Sequence, residues 1–149
     1  MSSNSLVNQI RKREKSTDKW KTPDSLYDEL NKEFNFDFDP CPIDWEPETH
    51  LDGLSIEWKD SNFVNPPYSQ TKHWIKKSYD ESRKGKTCVM LINACTDTIA
   101  FHEYIYNNPN AEYRFVKGRI KFTCPLRPEC NKANMKASMI IIFHPVIIV

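Results

Sequence analysis

The chain of 149 residues contains only three glycines, at positions 53, 85 and 118. Neither the G-x-G-x-x-G loop of a dinucleotide site nor a Walker A phosphate loop can therefore be written, which excludes a standard nucleotide-binding loop of either kind. Net charge is also nearly absent, at +1, so any basic surface must be local. No apolar run is long enough to span a membrane, and no signal-peptide core is present at the N-terminus. These absences favour a cytoplasmic protein.

A disulfide framework is also missing. The cysteines are Cys41, Cys88, Cys95, Cys124 and Cys130. An odd number at uneven spacing argues against paired disulfides. Cys124 and Cys130, together with His102 or His144, have the residue types of a zinc site, but no C-x-x-C pair exists. We therefore expect no structural metal.

The composition is that of one soluble globular domain. Hydrophobic residues make up 39% of the chain and charged residues 28%, and this length suits a single core. Residues 1–19 are polar and basic, and we expect them to form an N-terminal tail before a domain at 20–149. This tail is either simply solvated or makes a non-specific contact with phosphates.

Predicted helices and strands alternate along the chain. Helical periodicity predicts helices at about 23–34, 69–84 and 99–107. Apolar runs predict strands at 34–39, 62–64, 87–92, 112–116, 120–123 and 138–143. Thr22 and Ser69 suit helix caps, and Pro23 suits a first helical position. The alternation predicts an α/β fold with a mostly parallel central sheet and flanking helices.

The stretch Asn65-Pro66-Pro67-Tyr68 follows a short strand and precedes a helix. Two prolines fix φ and remove two N–H donors, so the backbone is stiff and its carbonyls have fewer local partners. Such a loop can accept hydrogen bonds from an exocyclic amino group while the Tyr68 ring stacks on the base that carries it. An ordinary surface loop is the other interpretation of the same residues.

A carboxylate follows the first predicted strand, in Asp39-Pro40-Cys41-Pro42. Open α/β sheets bind ligands beyond the carboxyl ends of their strands, so Asp39 is a candidate for bonding a ligand's ammonium or hydroxyl group. It is equally well a residue that caps a turn. Trp45 and Trp58 lie in the acidic loop that follows, and either residue packs in the core or stacks on an adenine ring.

The segment 117–136 is basic in an otherwise balanced chain. It contains one acid, Glu129, and six basic residues: Lys117, Arg119, Lys121, Arg127, Lys132 and Lys136. Pro125 and Pro128 predict that much of it is irregular. A basic irregular loop is a candidate DNA contact, and a solvated loop is the alternative.

Taken together, these residues resemble the phage-type, Dam-like DNA N6-adenine methyltransferases. The matching pieces occur in the family's order: Trp20-Lys21-Thr22-Pro23, Asp39-Pro40-Cys41-Pro42, Asp52-Gly53-Leu54 with Trp58, Phe63 to Ser69, Thr96-Asp97-Thr98 with Phe101-His102, Gly118 to Phe122, and the apolar strand from Ser138. No single piece is specific, but the ordered set is.

The resemblance implies a compact Rossmann-like methyltransferase fold, S-adenosylmethionine as methyl donor and adenine in DNA, expected to be double-stranded, as acceptor. It implies that the Asp-Pro-Cys element takes the place of the glycine-rich cofactor loop of larger methyltransferases. No separate target-recognition domain is found, so DNA recognition is expected from the 117–136 loop, the tail or a second subunit.

The resemblance also assigns roles to individual residues. The catalytic residues are expected to be Asn65, Pro66, Pro67 and Tyr68. The cofactor contacts are expected to be Trp20, Thr22, Pro23, Asp39, Pro40, Cys41 and Asn65. The DNA contacts are expected to be Tyr68, Ser69, Arg119, Lys121, Arg127 and Lys132.

Two alternatives remain at this stage. The same Asn-Pro-Pro-Tyr geometry suits any planar amino group, so cytosine N4, RNA or a protein glutamine amide are other acceptors. A degenerate methyltransferase fold that binds DNA or a protein without catalysis is the non-enzymatic alternative, supported by the missing glycine loop.

Overall fold

The computed structural model describes residues 21–43, 51–122, 132–133 and 136–147, with backbone only at 122, 132 and 133. The helices are α1 (Asp24–Phe34) and α2 (Thr71–Ser82). A 3-10 turn at Tyr68–Gln70 precedes α2, and a π-helical turn occupies Phe101–Ile105. The strands are β1 (Ser61–Val64), β2 (Thr87–Asn93), β3 (Ala111–Phe115), β4 (Lys121–Phe122), β5 (Lys132–Ala133) and β6 (Ser138–Phe143). No helix in these ranges is both long and apolar enough to cross a membrane.

The central sheet has four strands in the order β1-β2-β6-β3. Only β1 and β2 pair in parallel, because β6 is antiparallel to both β2 and β3. The expectation of a mostly parallel sheet is therefore corrected to a mixed sheet with flanking helices. The apolar run that predicted β6 could not show its direction, since a strand buried on both faces is apolar whichever way its neighbours run.

The basic 117–136 segment is not wholly irregular. Its strands β4 and β5 form an antiparallel ribbon in which Lys121 pairs with Ala133 and Phe122 with Lys132. The strand predicted at 120–123 is confirmed in part by β4, whereas β5 was not predicted. Pro125 and Pro128, on which the prediction of an irregular segment rests, lie between the two strands.

The predicted first strand at 34–39 is reduced to one bridge, between Phe38 and Asn62. Helix α1 extends to Phe34, and Asn35 then adopts a left-handed conformation with φ 52° and donates its N–H to the Asn31 carbonyl at 2.8 Å. This helix C-cap occupies the residues where the strand was expected to begin, because Asn tolerates the left-handed region better than most residues.

Both predicted helix caps are shifted. Pro23, rather than Thr22, is the N-cap of α1, and its carbonyl accepts the first helical bond, from the Tyr27 N–H at 3.1 Å. Ser69 lies inside the 3-10 turn, and Gln70 is the N-cap of α2. The Thr22 hydroxyl has a different partner, which belongs to the candidate site described below.

Helices cover both faces of the sheet. On one face Val64, Met90 and Ile141 pack with Trp74 of α2 and Ile105 of the π-helical turn. On the other, residues of β1, β2 and β6 pack against Leu30 of α1. Strand residues alternate between the two faces, so β2 and β6 are apolar at almost every position.

Helix α2 also carries a buried carboxylate. Glu81 of α2 is fully buried, and it contacts Lys77, Lys84 and Lys86 and accepts the backbone N–H of Trp58. Burial by itself raises the pKa of Glu81, but the hydrogen bonds from two lysines and from the Trp58 N–H outweigh it and lower the pKa to about 2. The ionised form is therefore the stable form in the folded protein.

We expect the free energy of unfolding to fall between about pH 4.5 and pH 2 partly because of Glu81. A depressed pKa stabilises the fold above the unfolded-state pKa, and this contribution disappears as the pH falls through the folded-state pKa. At about 1.4 kcal/mol per pKa unit, the contribution is roughly 3 kcal/mol. Glu81→Gln should remove this part of the acid dependence, as measured by urea unfolding at several pH values.

The matched control is Asp80→Asn. Asp80 lies one residue earlier in α2 and pairs with Lys76 at 2.8 Å, but both side chains are exposed. An exposed pair contributes less than about 1 kcal/mol, so this variant should keep the acid dependence. Equal slopes for Glu81→Gln and the unmodified chain would contradict the assignment.

Candidate functional site

Strands β1, β2 and β3 run in one direction, so their carboxyl ends lie at one edge of the sheet, which we call the carboxyl edge. Strand β6, running the opposite way, begins there. Two backbone bonds close this edge: Ala94 N–H donates to the Ala137 carbonyl at 2.8 Å, and Val116 N–H donates to the Ser138 carbonyl at 3.1 Å. The segments that follow β1, β2 and β3 therefore leave the sheet side by side.

Asn65 is the first residue beyond β1 at this edge. Its Nδ2 donates to the Thr22 hydroxyl at 2.9 Å, which joins residues 43 positions apart. Both residues are half-buried. With Nδ2 directed at Thr22, the amide oxygen occupies the other branch of the side chain. The structure thus brings together two of the residues singled out from the sequence.

The two prolines after Asn65 are buried, and their carbonyls differ. The Pro67 carbonyl accepts the Gln70 N–H at 3.0 Å and the Thr71 hydroxyl at 3.4 Å, which anchors the turn into α2. Within the described part of the chain, no hydrogen bond reaches the Pro66 carbonyl. This carbonyl is an acceptor of the kind predicted from the two missing proline N–H groups.

Tyr68 begins the 3-10 turn and is half-buried. Burial raises the pKa of its phenol to about 12. The ring is therefore uncharged at neutral pH, and it combines an apolar face with a hydroxyl donor. Ser69, the next residue, is exposed.

Asp39 lies near the carboxyl end of β1. The Phe38 carbonyl accepts the Phe63 N–H at 3.0 Å, so the chain that continues into Asp39 runs next to the end of β1. Asp39 Oδ1 accepts the Cys41 N–H at 2.9 Å, which is the turn-capping role. Asp39 is nevertheless an exposed residue, whereas Pro40 and Cys41 are buried, so the turn that carries this carboxylate is anchored in the core.

Gly53 packs directly on this turn, a contact that the sequence analysis did not identify. A Cβ on Gly53 would lie 2.0 Å from the Pro40 carbonyl oxygen. The Gly53 carbonyl accepts the indole N–H of Trp58 at 2.7 Å. Trp58 is buried and stacks on Trp74, with ring centroids 6.3 Å apart. Of the two interpretations of Trp58, core packing is therefore the one that the structure supports.

Basic side chains lie along the same edge. Lys117 and Arg119 follow β3 and are exposed, and Lys121 is exposed on β4. Lys136, the last basic residue of the 117–136 segment, precedes β6, and its Nζ lies 3.9 Å from Cys95 Sγ. Three inter-strand spacings of about 4.8 Å place the residues that follow β3 about 14 Å from those that follow β1.

Several predicted site residues lie outside the described ranges. These are Trp20, Arg127 and the tail at 1–19, together with Trp45, and only the backbone of Lys132 is described. Pro23 is described and lies next to Thr22 as the α1 cap. In the described ranges, no three His, Cys, Asp or Glu side chains are grouped as a metal site would need.

Comparison with known proteins gave one family. The family model described as DNA N-6-adenine-methyltransferase (Dam) matches residues 9–148. No curated protein and no solved structure matches the chain.

The contact between Gly53 and Pro40 predicts that Gly53→Ala destabilises the protein. The atoms that an added Cβ would meet most closely are the carbonyl oxygen and carbonyl carbon of Pro40, at 2.0 and 2.8 Å. Because both are backbone atoms, the Asp39 turn must move to admit a methyl group. We expect a loss of about 3 kcal/mol, at the upper end for overpacking, in denaturant unfolding.

Gly118→Ala provides the comparison. Gly118 has φ +78° but nothing within 4 Å of an added Cβ, so its cost is the conformational strain alone, roughly 1–2 kcal/mol. A Gly53→Ala loss no greater than that of Gly118→Ala would argue against the close approach.

Proposed function

The chain belongs to the DNA N-6-adenine-methyltransferase (Dam) family, and we propose that it is an active enzyme that transfers a methyl group from S-adenosylmethionine to the N6 amino group of adenine in DNA. The observation that carries this proposal is the hydrogen bond between Asn65 and Thr22 at the carboxyl edge. Thr22 is expected to contact the methyl donor, and Asn65 is expected to contact the methyl acceptor.

The donor side has the chemistry that S-adenosylmethionine requires. This cofactor supplies an electrophilic methyl group on its sulfonium when bound. An exposed carboxylate at Asp39 suits its ammonium group or a ribose hydroxyl, and the Thr22 hydroxyl and Asn65 amide add polar contacts beside it. The turn that carries Asp39 is held by its own cap and by Gly53, so the carboxylate is positioned without a glycine-rich loop.

The acceptor side consists of Asn65, Pro66 and Tyr68. The amino group of adenine is a poor nucleophile because its lone pair is delocalised into the ring. The Asn65 side chain and the Pro66 carbonyl accept hydrogen bonds from the two N–H groups of this amino group. These bonds orient the nitrogen towards the methyl group. Tyr68 stacks on the ring as an uncharged phenol, since burial raises its pKa to about 12.

The target base leaves the DNA helix before it reaches this site. Extrusion costs a few kcal/mol, which stacking in the pocket partly offsets. The displacement at the methyl carbon is in-line, so positioning supplies the catalysis. Methyl transfer to N6 would break the bond from sulfur to the methyl carbon and would release the N6 proton to solvent, and the motif residues would hold the amino group in position for it. The scheme requires neither a covalent enzyme intermediate nor a general base among the motif residues.

Asn65→Ala should lower methyl transfer roughly 100-fold or more, the usual effect of losing a polar group that stabilises a transition state. The measurement is transfer of labelled methyl from S-adenosylmethionine to unmethylated duplex DNA, followed by nucleoside mass spectrometry. Label should appear as N6-methyladenine.

The control for this assay is Asn107→Gly. Asn107 is exposed and has φ 61°, so glycine fits its backbone and only an exposed amide is lost; its activity should equal that of the unmodified chain. Near-normal transfer by Asn65→Ala would refute the catalytic assignment. Label in cytosine, RNA or a protein glutamine would refute adenine in DNA as the acceptor. Absence of S-adenosylmethionine binding would refute the proposal that the chain is an active methyltransferase.

The DNA surface that we propose is the basic part of the carboxyl edge with the β4–β5 ribbon. A two-stranded ribbon is narrow enough to enter the major groove of duplex DNA. Arg119 and Lys121, which enter and begin this ribbon, are exposed and available to phosphates. Both residues follow the end of β3, so they lie towards the same carboxyl edge as Asn65.

Replacing Arg119 and Lys121 together with Ala should weaken DNA binding and make the plot of log affinity against log salt concentration less steep by roughly 2 units, because each phosphate contact contributes about 0.9. Fluorescence anisotropy with labelled duplex DNA at several salt concentrations measures both effects.

The charge-matched control replaces Lys32 and Lys59 with Ala. Lys32 lies near the end of α1 and Lys59 precedes β1, so both exposed lysines lie towards the opposite edge of the sheet. Their removal should leave the slope nearly unchanged. A similar change in slope for the two double variants would show that only net charge matters.

A further inference from the structure

Strand β3 is the last strand of the sheet, and its outer side has no partner strand in the described part of the chain. Bonds that extend the β3–β6 ladder show which groups point outward. Val116 N–H donates to Ser138 and His144 N–H donates to Asn110, so positions 110, 112, 114 and 116 bond to β6. The backbone groups of Tyr113 and Phe115 therefore point away from the sheet.

Strand β3 exposes two large aromatic side chains. Phe115 is 68% exposed and Tyr113 is 42% exposed, and their rings lie 6.0 Å apart. Exposed edge strands are often protected by charged side chains, especially lysine, or by proline or a bulge. In β3, Ala-Glu-Tyr-Arg-Phe, lysine, proline and a bulge are absent, and the charged residues Glu112 and Arg114 are already paired within the chain. Such an edge is suited to pairing with another strand.

The same five residues are complementary to themselves. We propose that two copies of this chain associate by antiparallel pairing of their β3 strands about a twofold axis at Tyr113. In this register Tyr113 lies opposite Tyr113, and Ala111 lies opposite Phe115. The outward groups of Tyr113 exchange hydrogen bonds, and the Phe115 N–H of each copy donates to the Ala111 carbonyl of the other. The Ala111 N–H is already bonded to Asn108, at 3.0 Å.

Charge complementarity favours this register. Glu112 of one copy lies opposite Arg114 of the other, at positions whose Cα atoms approach to about 4.5 Å because they do not exchange backbone bonds. Opposite charges that face each other across a ladder stabilise it. Within one copy Arg114 already contacts Glu112 and forms two 2.7 Å bonds with Glu33, so its guanidinium is held on the face where the partner carboxylate arrives.

The pairing has a consequence for the arrangement of the sites. The two four-stranded sheets become one continuous sheet, and antiparallel strands place the carboxyl edges of the two copies on opposite sides. The two Asn65 residues then face in opposite directions. Each copy contacts its own segment of DNA, and the dimer does not require a palindromic target.

Sedimentation velocity of the full-length protein over a range of concentrations tests the proposal. The mass should rise from 17.6 kDa towards twice that value. Tyr113→Lys should raise the dissociation constant at least tenfold because it places two lysines opposite each other at the twofold axis, and Phe115→Lys should do so because it replaces the apolar contact with Ala111 by a charged side chain at the strand edge. Ile147→Lys is the matched control, since Ile147 is 78% exposed and Val146 beside it bonds to Ser82 of α2 rather than to β3.

Hydrogen exchange on the unmodified protein provides the second readout and does not depend on a variant that folds. The amides of Tyr113 and Phe115 should gain protection only at concentrations where the dimer forms. A protein that stays monomeric at every concentration would overturn the proposal, as would a dimer unaffected by both lysine substitutions. Protection of these amides in the monomer would also overturn it, by showing that another segment of the same chain covers β3.

Discussion

The complete burial of strands β2 and β6 on both faces is the constraint on which the rest of the structure depends. Val89, Met90 and Ile141 have no exposed surface, and the helices that cover them leave no room for a polar ligand in the middle of the sheet. Polar chemistry is therefore confined to the ends of the strands, where backbone groups no longer pair. Asn65 and Asp39 lie at this boundary, next to the apolar core.

Helix α2 connects the two halves of the candidate site. It follows the 3-10 turn that begins at Tyr68, so the burial of Trp74 in its first turn helps to fix the acceptor loop. Towards its other end, Glu81 accepts the N–H of Trp58, whose indole holds the carbonyl of Gly53. Gly53 in turn abuts the Pro40 carbonyl in the Asp39 turn. A buried carboxylate far from the site thus helps to position the residues proposed to hold the methyl donor.

Features that depend on local periodicity were predictable from the sequence, and features that depend on distant partners were not. Helix α1 and strands β2, β3 and β6 were predicted within a few residues, because each has its own apolar pattern. The direction of β6 was not, since a run buried on both faces is the same for either direction. The contact of Gly53 with Pro40 and the hydrogen bond from Asn65 to Thr22 are made by residues that are not neighbours in the sequence. Neither can be predicted from local residue spacing.

Prolines on both sides of the candidate site are compatible with the proposed chemistry in a chain that has only three glycines. A glycine-rich loop suits phosphate because it presents backbone N–H donors to an anion. S-adenosylmethionine has no phosphate; its ammonium group and the amino group of adenine are hydrogen-bond donors, which need acceptors. Pro66 lacks an N–H and keeps a carbonyl that no hydrogen bond reaches in the described part of the chain. Asp39 and Asn65 add side-chain oxygens, whereas the Pro67 carbonyl anchors the turn into α2 and the Pro40 carbonyl packs on Gly53. The scarcity of glycine is therefore consistent with the proposed ligands.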